Sequence, residues 1–233
     1  MKVSLIIPAY NEAERIAPFL KSVADWQNQH PNQFHEIIVV DDGSTDSTAA
    51  IAQTLEVEPL RLIRHEKNRG KGAAVQTGVF AATGDYIVFM DADGATSIDQ
   101  LPKMENALQN HDVGIGNRWM PGAKTERHSV LRRLSGWIYR KYMALFGLGD
   151  IDTMCGFKGY RRAVARDLLE DLQEERWLFD TEIAYKAFQR GYSVKNFPIN
   201  WESKDGSKLD TRTLLNTAFQ IWPLINKIKT QTR

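Results

Sequence analysis

The chain has 233 residues, of which 42% are hydrophobic and 25% are charged, as in an ordinary globular protein. This composition excludes a disordered or fibrous chain, and the length fits one domain or one domain with an appendage. Because 30 Lys and Arg nearly balance 29 Asp and Glu, no general binding of nucleic acid is expected. A single cysteine, Cys155, excludes a disulfide framework and any multi-cysteine metal site.

No apolar run has the length of a membrane span, and the N-terminus lacks the pattern of a signal peptide. We therefore expect a cytoplasmic chain. The charge is nevertheless uneven, since residues 118–166 carry eleven Lys and Arg against three acids. This excess indicates that an anionic ligand or surface lies beside that segment.

The first half of the chain alternates short β-branched runs with helical patterns, which is typical of βαβ units around a parallel sheet. Strands are predicted over residues 3–7, 36–40, 60–64, 86–90 and 113–116. Helices are predicted to end near residues 27 and 55 and to cover 71–82 and 98–108. The acidic and glycine-containing turns follow the strands, at the edge where open parallel sheets bind their ligands.

The second half is less regular. An aromatic and basic stretch over residues 129–146 precedes a predicted turn over 152–158. A helix over 179–190, a strand over 194–200 and a helical pattern over about 211–228 follow, and Pro223 should break or kink the last of these. We expect one domain over 1–209 and a helical appendage over 210–233.

Two carboxylates, Asp91 and Asp93, come directly after the apolar strand 86–90. Carboxylate oxygens suit Mg²⁺ or Mn²⁺, and Mg²⁺ is usually held by one or two carboxylates together with substrate phosphates. The alternative is a turn in which Asp91 caps the next helix and Asp93 begins a tight corner. The pair alone leaves both possibilities open.

Two other turns carry polar groups to the same edge. Asp41 to Asp46 offers an acceptor that could receive the N–H of a nucleotide base, although helix capping by Ser44 or Asp46 is also expected. Residues 68–72 bring two cations and two glycines to a helix start, where backbone N–H groups favour phosphate. Neither a Walker loop nor a dinucleotide-binding glycine motif is present, so P-loop kinases and dehydrogenases are excluded.

In combination these motifs resemble family 2 of the inverting glycosyltransferases, which have the GT-A fold. The resemblance rests on four segments in this order: Pro8 to Glu12, Asp41 to Asp46, Asn68 to Gly72 and Asp91 to Gly94. It implies an α/β fold with a Rossmann-like, mostly parallel sheet flanked by helices, together with the amphipathic helical appendage.

Residues 152–158, 175–182 and 200–208 look like the matching stretches of dolichyl-phosphate β-glucosyltransferases. Those enzymes transfer glucose from UDP-glucose to a polyprenyl phosphate, and the resemblance covers roughly residues 3–209. It departs at Met154, where the family usually has Gln. It implies a metal-dependent transfer that inverts the anomeric carbon and gives a β-linked product.

The resemblance also implies roles for individual residues. Asp91 and Asp93 would hold Mg²⁺ or Mn²⁺, and Asp93 and Asp180 are the candidate catalytic residues. Asp180 would orient the acceptor or bind a sugar hydroxyl, with general-base action as the second option. The predicted donor-binding residues are Pro8, Tyr10, Glu12, Asp41, Lys71, Asp91 and Lys208. The predicted binding residues for the acceptor phosphate are Arg118, Arg132, Arg133 and Ser135.

The segment 129–147 has one broad apolar face with basic flanks, as in a helix that lies in a membrane interface. A helix packed on the core, with its arginines in water, is the alternative. Residues 211–229 could form a second interfacial element. We therefore expect a peripheral enzyme on the cytoplasmic face of a membrane.

Other functions remain open from the sequence. One is a mannosyltransferase that uses GDP-mannose, and another is a family 2 enzyme with a hydroxyl acceptor. A third, of a different class, is a non-catalytic module that binds a nucleotide sugar or a membrane surface. The presence of Asp91, Asp93 and Asp180 argues against this module, since a pure binder needs no such set.

Overall fold

The computed structural model describes residues 1–55, 57–126, 130–203 and 211–231, with the backbone alone at 130–135, 211–219 and 231. The strands are β1 (Val3–Ala9), β2 (Phe34–Asp41), β3 (Leu60–Arg64), β4 (Tyr86–Met90), β5 (Val113–Asn117), β6 (Lys124–Glu126), β7 (Phe157–Arg161), β8 (Val194–Pro198) and β9 (Asn200–Glu202). The helices are α1 (Ile16–Gln29), α2 (Thr48–Thr54), α3 (Lys71–Ala81), α4 (Leu101–Asn110), α5 (Val130–Ala144), α6 (Arg162–Leu169), α7 (Phe179–Gln189) and α8 (Thr211–Gln231).

Seven strands form the central sheet in the order β3-β2-β1-β4-β7-β5-β8. All neighbours in it are parallel except β7, which runs antiparallel to both β4 and β5. The start of β7 therefore lies at the edge where the other strands end. The turn that precedes β7 is thereby brought beside the turn that follows β4.

Helices cover both faces of the sheet, so its strands have the nearly continuous apolar runs expected of buried parallel strands. Alternate residues of β1 point to opposite faces, as the pleat requires. Leu5 and Ile7 pack with α1 and α4, whereas Ile6 packs with α3, α6 and α7.

The predicted α/β architecture is confirmed, with differences in the second half. Residues 152–158 were expected as a turn, but β7 begins at Phe157. The short strand lies between β4 and β5, and its glycine-containing sequence has a weak strand pattern. The helix α6 and the strand β6 were also not predicted.

The last helix, α8, packs against α5 and α7 through Ile221, Ile225 and Ile228. It continues through Pro223, where the sequence predicted a break or a kink. Proline removes one helical hydrogen bond, but buried isoleucines on both sides of Pro223 stabilise the helix. No helix in the described part of the chain has the length and apolar character needed to cross a membrane.

Candidate active site

A cavity of about 490 Å³ opens at the edge where the parallel strands end. It is bounded by the turns after β1 and β4, the turn before β7 and the start of α7. Eight of the predicted site residues line it: Pro8, Tyr10, Glu12, Lys71, Asp91, Asp93, Arg118 and Asp180. Lys208 lies outside the described residues, as do the side chains of Arg132, Arg133 and Ser135.

Asp91 is held from two sides. Lys71 Nζ lies 2.6 Å from its Oδ1, and its backbone N–H donates to the Gly156 carbonyl at 3.1 Å. A Cβ atom at Gly156 would overlap the Asp91 carboxylate, so only glycine permits this approach. Burial by itself would raise the pKa of Asp91, but the charge and hydrogen bond of Lys71 outweigh it and lower the pKa.

The electrostatic surroundings of Asp93 differ from those of Asp91. Its Oδ1 accepts the Ala95 N–H at 2.9 Å, which makes the tight corner that was the alternative for this residue. Burial and the negative charge of Asp91 raise the pKa of Asp93 above its ordinary value. A cation between the two carboxylates would relieve this repulsion.

This donor set fits a divalent cation that is shared with a substrate. In the described part of the chain, no group of three or more His, Cys, Asp and Glu side chains could hold a metal ion. Asp91 and Asp93 could supply two carboxylate ligands, and the other positions would belong to water and phosphate. Mg²⁺ is commonly held in this way in proteins.

Two backbone N–H groups at the start of α3, where the sequence predicted a phosphate site, have partners within the protein. The N–H groups of Gly72 and Ala73 donate to the carbonyls of Arg176 and Glu175, at 3.3 and 3.0 Å. The segment before α7 thus occupies hydrogen-bond donors that a phosphate would have used. Asn68, Gly70 and Lys71 of this predicted segment line the cavity, and the role of Lys71 toward phosphate stays a prediction.

Asp41 is fully buried and does not line the described cavity. Its Oδ1 accepts the Ser44 N–H at 3.1 Å, and Arg64 Nε lies 3.0 Å from its Oδ2. The neighbouring Asp42 does line the cavity, and it receives hydrogen bonds from His65 and from the residue 68–70 turn. Contact between a base and Asp41 therefore requires the groups that cover Asp41 to move, and the predicted role stays a prediction.

Asp180 lies in the first turn of α7 and is 4% exposed. Its Oδ1 accepts a hydrogen bond from Lys158 Nζ at 2.6 Å. Burial raises the pKa of Asp180 above its ordinary value, although Lys158 and Lys71 act in the opposite direction. Glu182 points elsewhere, as expected from its spacing, and accepts the N–H groups of Gln173 and Glu174.

Arg118 lies directly after β5 and is held by Asp152. The guanidinium donates through Nε and Nη2 to the two carboxylate oxygens, at 2.7 and 2.8 Å, and lies over the Trp201 ring. Burial by itself would raise the pKa of Asp152, but Arg118 lowers it below the ordinary value. Arg118 is therefore a fixed positive charge in the cavity wall.

The outer part of the cavity is formed by α5. Tyr139 lines it, and its hydroxyl lies 2.8 Å from Thr181 Oγ1, while burial raises the pKa of Tyr139 to about 12. The same helix has Met143 buried against α7 and α8. Trp137 and Ile138 on this helix, in contrast, are 49% and 54% exposed. Helix α5 therefore combines the core-packed and the outward-facing apolar residues that the sequence gave as alternatives.

Several residues of the cavity wall were not predicted from the sequence. Five examples are Asp42, Tyr139, Arg176, Trp177 and Trp201. Three of them lie in the stretches 175–182 and 200–208, whose family resemblance was the available signal. The buried partner of Asp180, Lys158, was also missed, because residues 152–158 were expected as a turn and no pattern marked this lysine as buried.

Known proteins resemble this chain in sequence and in fold. The model of the family described as "Glycosyl transferase family 2" matches residues 4–169. A dolichyl-phosphate β-glucosyltransferase of Trichomonas vaginalis is 33% identical, over 94% of this chain and 69% of its own. One of Dictyostelium discoideum is 35% identical, over 89% and 68%. The glucosyl-3-phosphoglycerate synthase of Mycobacterium tuberculosis, solved with UDP, shares the fold with a TM-score of 0.70 at 20% identity, over 96% and 78%.

Proposed function

The chain belongs to glycosyl transferase family 2 and is a glycosyltransferase, and from this premise we propose that it transfers glucose from UDP-glucose to a polyprenyl phosphate of the dolichyl type. The observation that carries the proposal is the single cavity in which Asp91, Asp93, Lys71 and Asp180 meet. The choice of sugar and acceptor is supported by the names of relatives that are about a third identical over most of the chain.

The donor is proposed to lie along the ends of β1 and β4. Pro8, Tyr10 and Glu12 line that side of the cavity and would contact the base and ribose. Lys71 would face the diphosphate from its position beside Asp91. Lys208 is assigned to the diphosphate by family resemblance alone.

A divalent cation, Mg²⁺ or Mn²⁺, would be held by Asp91 and Asp93. When bound, such an ion neutralises negative charge that develops on the departing diphosphate. The protein's own contribution is to hold both carboxylates at one place, through Lys71 and Gly156 for Asp91 and through the Ala95 N–H for Asp93.

In the proposed reaction, an oxygen of the acceptor phosphate forms a bond to C1 of glucose. The bond from C1 to the β-phosphate oxygen breaks, its electron pair leaves with UDP, and the configuration at C1 is inverted. A phosphate monoester has a second pKa of about 6, so the attacking oxygen is mostly deprotonated at pH 7. Asp180 therefore need not remove a proton, and we assign it to orienting the acceptor or a sugar hydroxyl.

The acceptor phosphate is proposed to bind at Arg118, with Arg132, Arg133 and Ser135 of α5 as further ligands. Arginine suits this role because its planar guanidinium can donate two hydrogen bonds to one phosphate. Two hydrogen bonds to Asp152 hold the Arg118 guanidinium in the cavity wall.

We propose that the lipid acceptor is reached by peripheral contact with the cytoplasmic face of a membrane. Trp137 and Ile138 on α5 and Trp222 on α8 are 49%, 54% and 60% exposed. The Trp222 ring contacts Phe146 at the end of α5, so the two helices form a common surface. Tryptophan beside lysine, as in Trp137 and Lys141, is typical of helices in membrane interfaces.

Product analysis with radiolabelled UDP-glucose or GDP-mannose tests the donor and acceptor together. We expect lipid-extractable label from UDP-glucose only, when a polyprenyl phosphate and Mn²⁺ are present. Asp93→Asn should abolish it, whereas the control Asp85→Asn, at an exposed acid away from the cavity, should not. Label from GDP-mannose alone, or label only in a water-soluble acceptor, would refute the proposed substrates.

A further inference from the structure

Lys158 is a buried lysine to which the proposed reaction gives no role. It lies on β7 opposite Phe89 and Ile115 of the neighbouring strands and is 1% exposed. It is not among the residues that line the described cavity. A buried ammonium group is costly unless it is paired and hydrogen-bonded, so its partners indicate why it is there.

Lys158 Nζ has three acceptors, one for each of its protons. It donates to the Thr153 carbonyl at 3.0 Å, to the Cys155 carbonyl and to Asp180 Oδ1 at 2.6 Å. Two of these acceptors belong to the turn before β7, and the third belongs to α7. With all three donors used and no exposure to the cavity, Lys158 has no hydrogen available for a substrate.

The turn that Lys158 holds also positions residues on the opposite side of the cavity. Gly156 in this turn accepts the Asp91 N–H and packs against the Asp91 carboxylate. Asp152 in the same turn fixes the Arg118 guanidinium. One ammonium group therefore joins Asp180 to the turn that supports Asp91 and Arg118.

We propose that Lys158 is a positioning residue, which is anchored in the turn 152–156 and sets the Asp180 carboxylate in the arrangement that transfer requires. The inference rests on the proposed function, because Lys158 acts through Asp180. Lys158 does not line the cavity, so it would act without contact to the donor or the acceptor.

A double-mutant cycle of Lys158→Met and Asp180→Asn tests this in the full chain. Lys158→Met should lower kcat by about 100-fold or more, as expected for a misplaced group, while KM for UDP-glucose changes less than about threefold. In the Asp180→Asn background, Lys158→Met should change kcat by less than about threefold, because its main target is already lost. Lys103→Met is the control: Lys103 Nζ donates to Gln100 Oε1 and to the Pro198 carbonyl away from the cavity, and kcat should stay within about threefold.

Lys158→Met by itself leaves Asp180 buried without its partner and can prevent folding. The comparison of Asp180→Asn with the double variant then decides, since neither of these has that unpaired carboxylate. A double variant at least about tenfold slower than Asp180→Asn, or a Lys158→Met enzyme with unchanged kcat, would overturn the proposal.

The proposed substrates can be wrong while the proposed role of Lys158 is right, and the experiment distinguishes these outcomes. If the wild-type chain gives no labelled lipid from UDP-glucose but transfers another sugar or uses another acceptor, the proposed substrates are wrong. The same cycle on that activity still tests Lys158. Thermal unfolding of the four proteins gives a readout without turnover: strictly additive changes in Tm would show that Lys158 and Asp180 are not coupled.

Discussion

Single residues of the cavity carry charges that the fold disfavours, and Asp93 is the clearest case. Its partner Asp91 has a lysine within 2.6 Å, whereas Asp93 has no ion pair within 4 Å among the described residues. Binding of a cation is one way in which such a carboxylate can contribute to function while it reduces stability. This trade-off is common at functional sites.

Asp93→Asn should therefore raise Tm at neutral pH while it abolishes transfer. Folding raises the pKa of Asp93 above its ordinary 3.8, so the ionised carboxylate destabilises the folded state. The gain in Tm from Asp93→Asn should be near zero below pH 3.8, where both states are protonated. It should grow as the pH rises from there through the raised pKa of the folded state. Thermal unfolding of both proteins across pH, without metal, measures it.

Asp112 provides a control of opposite sign. Hydrogen bonds from the Ser193 hydroxyl and N–H lower the pKa of Asp112 below its ordinary 3.8. Asp112→Asn should therefore lower Tm at neutral pH, and the loss should disappear as pH falls through the lowered pKa. A Tm for Asp93→Asn that falls in the same way would contradict the electrostatic account of Asp93.

Gly156→Ala tests the packing beneath Asp91. The new Cβ would overlap the carboxylate, so Asp91 or the turn before β7 must shift, and kcat/KM should fall by about 100-fold. Gly191 is the control, because it has a φ of +70° and open space around its Cα. Gly191→Ala should lower Tm through backbone strain and leave kcat/KM unchanged. Equal loss of activity in both variants would exclude a specific effect at Asp91.

At the scale of elements, α7 organises both sides of the site. Asp180 at its start faces the cavity, while Glu182 receives the N–H groups of residues 173 and 174 and pairs with Lys186. The segment held in this way continues into the carbonyls of Glu175 and Arg176, which cap α3. The helix that carries Lys71 is thereby anchored to α7.

Replacement of Glu182 should be costly for stability. Glu182→Gln leaves the buried Lys186 with a weaker set of partners, and loss of one member of a buried pair typically costs about 3 kcal/mol. Glu175→Gln is the control, because its pair with Arg69 is about half exposed and should contribute less than about 1 kcal/mol. Urea unfolding compares the two free energies. Similar losses in both variants would refute the special role of Glu182.

For the whole molecule, the antiparallel β7 is the decisive feature of the topology. In an all-parallel sheet, the turn before a strand lies at the edge away from the ligand. Because β7 is reversed between β4 and β5, residues 152–156 reach the same edge as Asp91 and Asp93. Arg118 and Asp91, which we propose to face the acceptor and the donor, are thereby joined through one turn.

The surface formed by α5 and α8 predicts binding to anionic liposomes. Trp137→Ser and Trp222→Ser should each weaken binding by about tenfold, because burial of one large apolar side chain contributes roughly 1.5–3 kcal/mol. Phe80→Ser, at a 44% exposed aromatic on α3, is the control and should have no effect. Sedimentation at low and high salt measures the binding. No sedimentation of the wild-type chain at either salt would remove the membrane hypothesis.

The amino-acid sequence by itself determined the alternation of strands and helices, and with it the edge of the sheet where Asp91, Asp93 and Lys71 meet. Such patterns are local, because the pleat and the helical repeat act on neighbouring residues. Only the tertiary structure decided which charged side chains pair with each other and which backbone groups are capped. Lys158 and Asp180 are 22 residues apart, Arg118 and Asp152 are 34 apart, and the N–H groups of α3 are capped by a segment about a hundred residues later. Contacts over these separations follow from the reversed strand β7 and from packing of α7, for which the sequence has no local pattern.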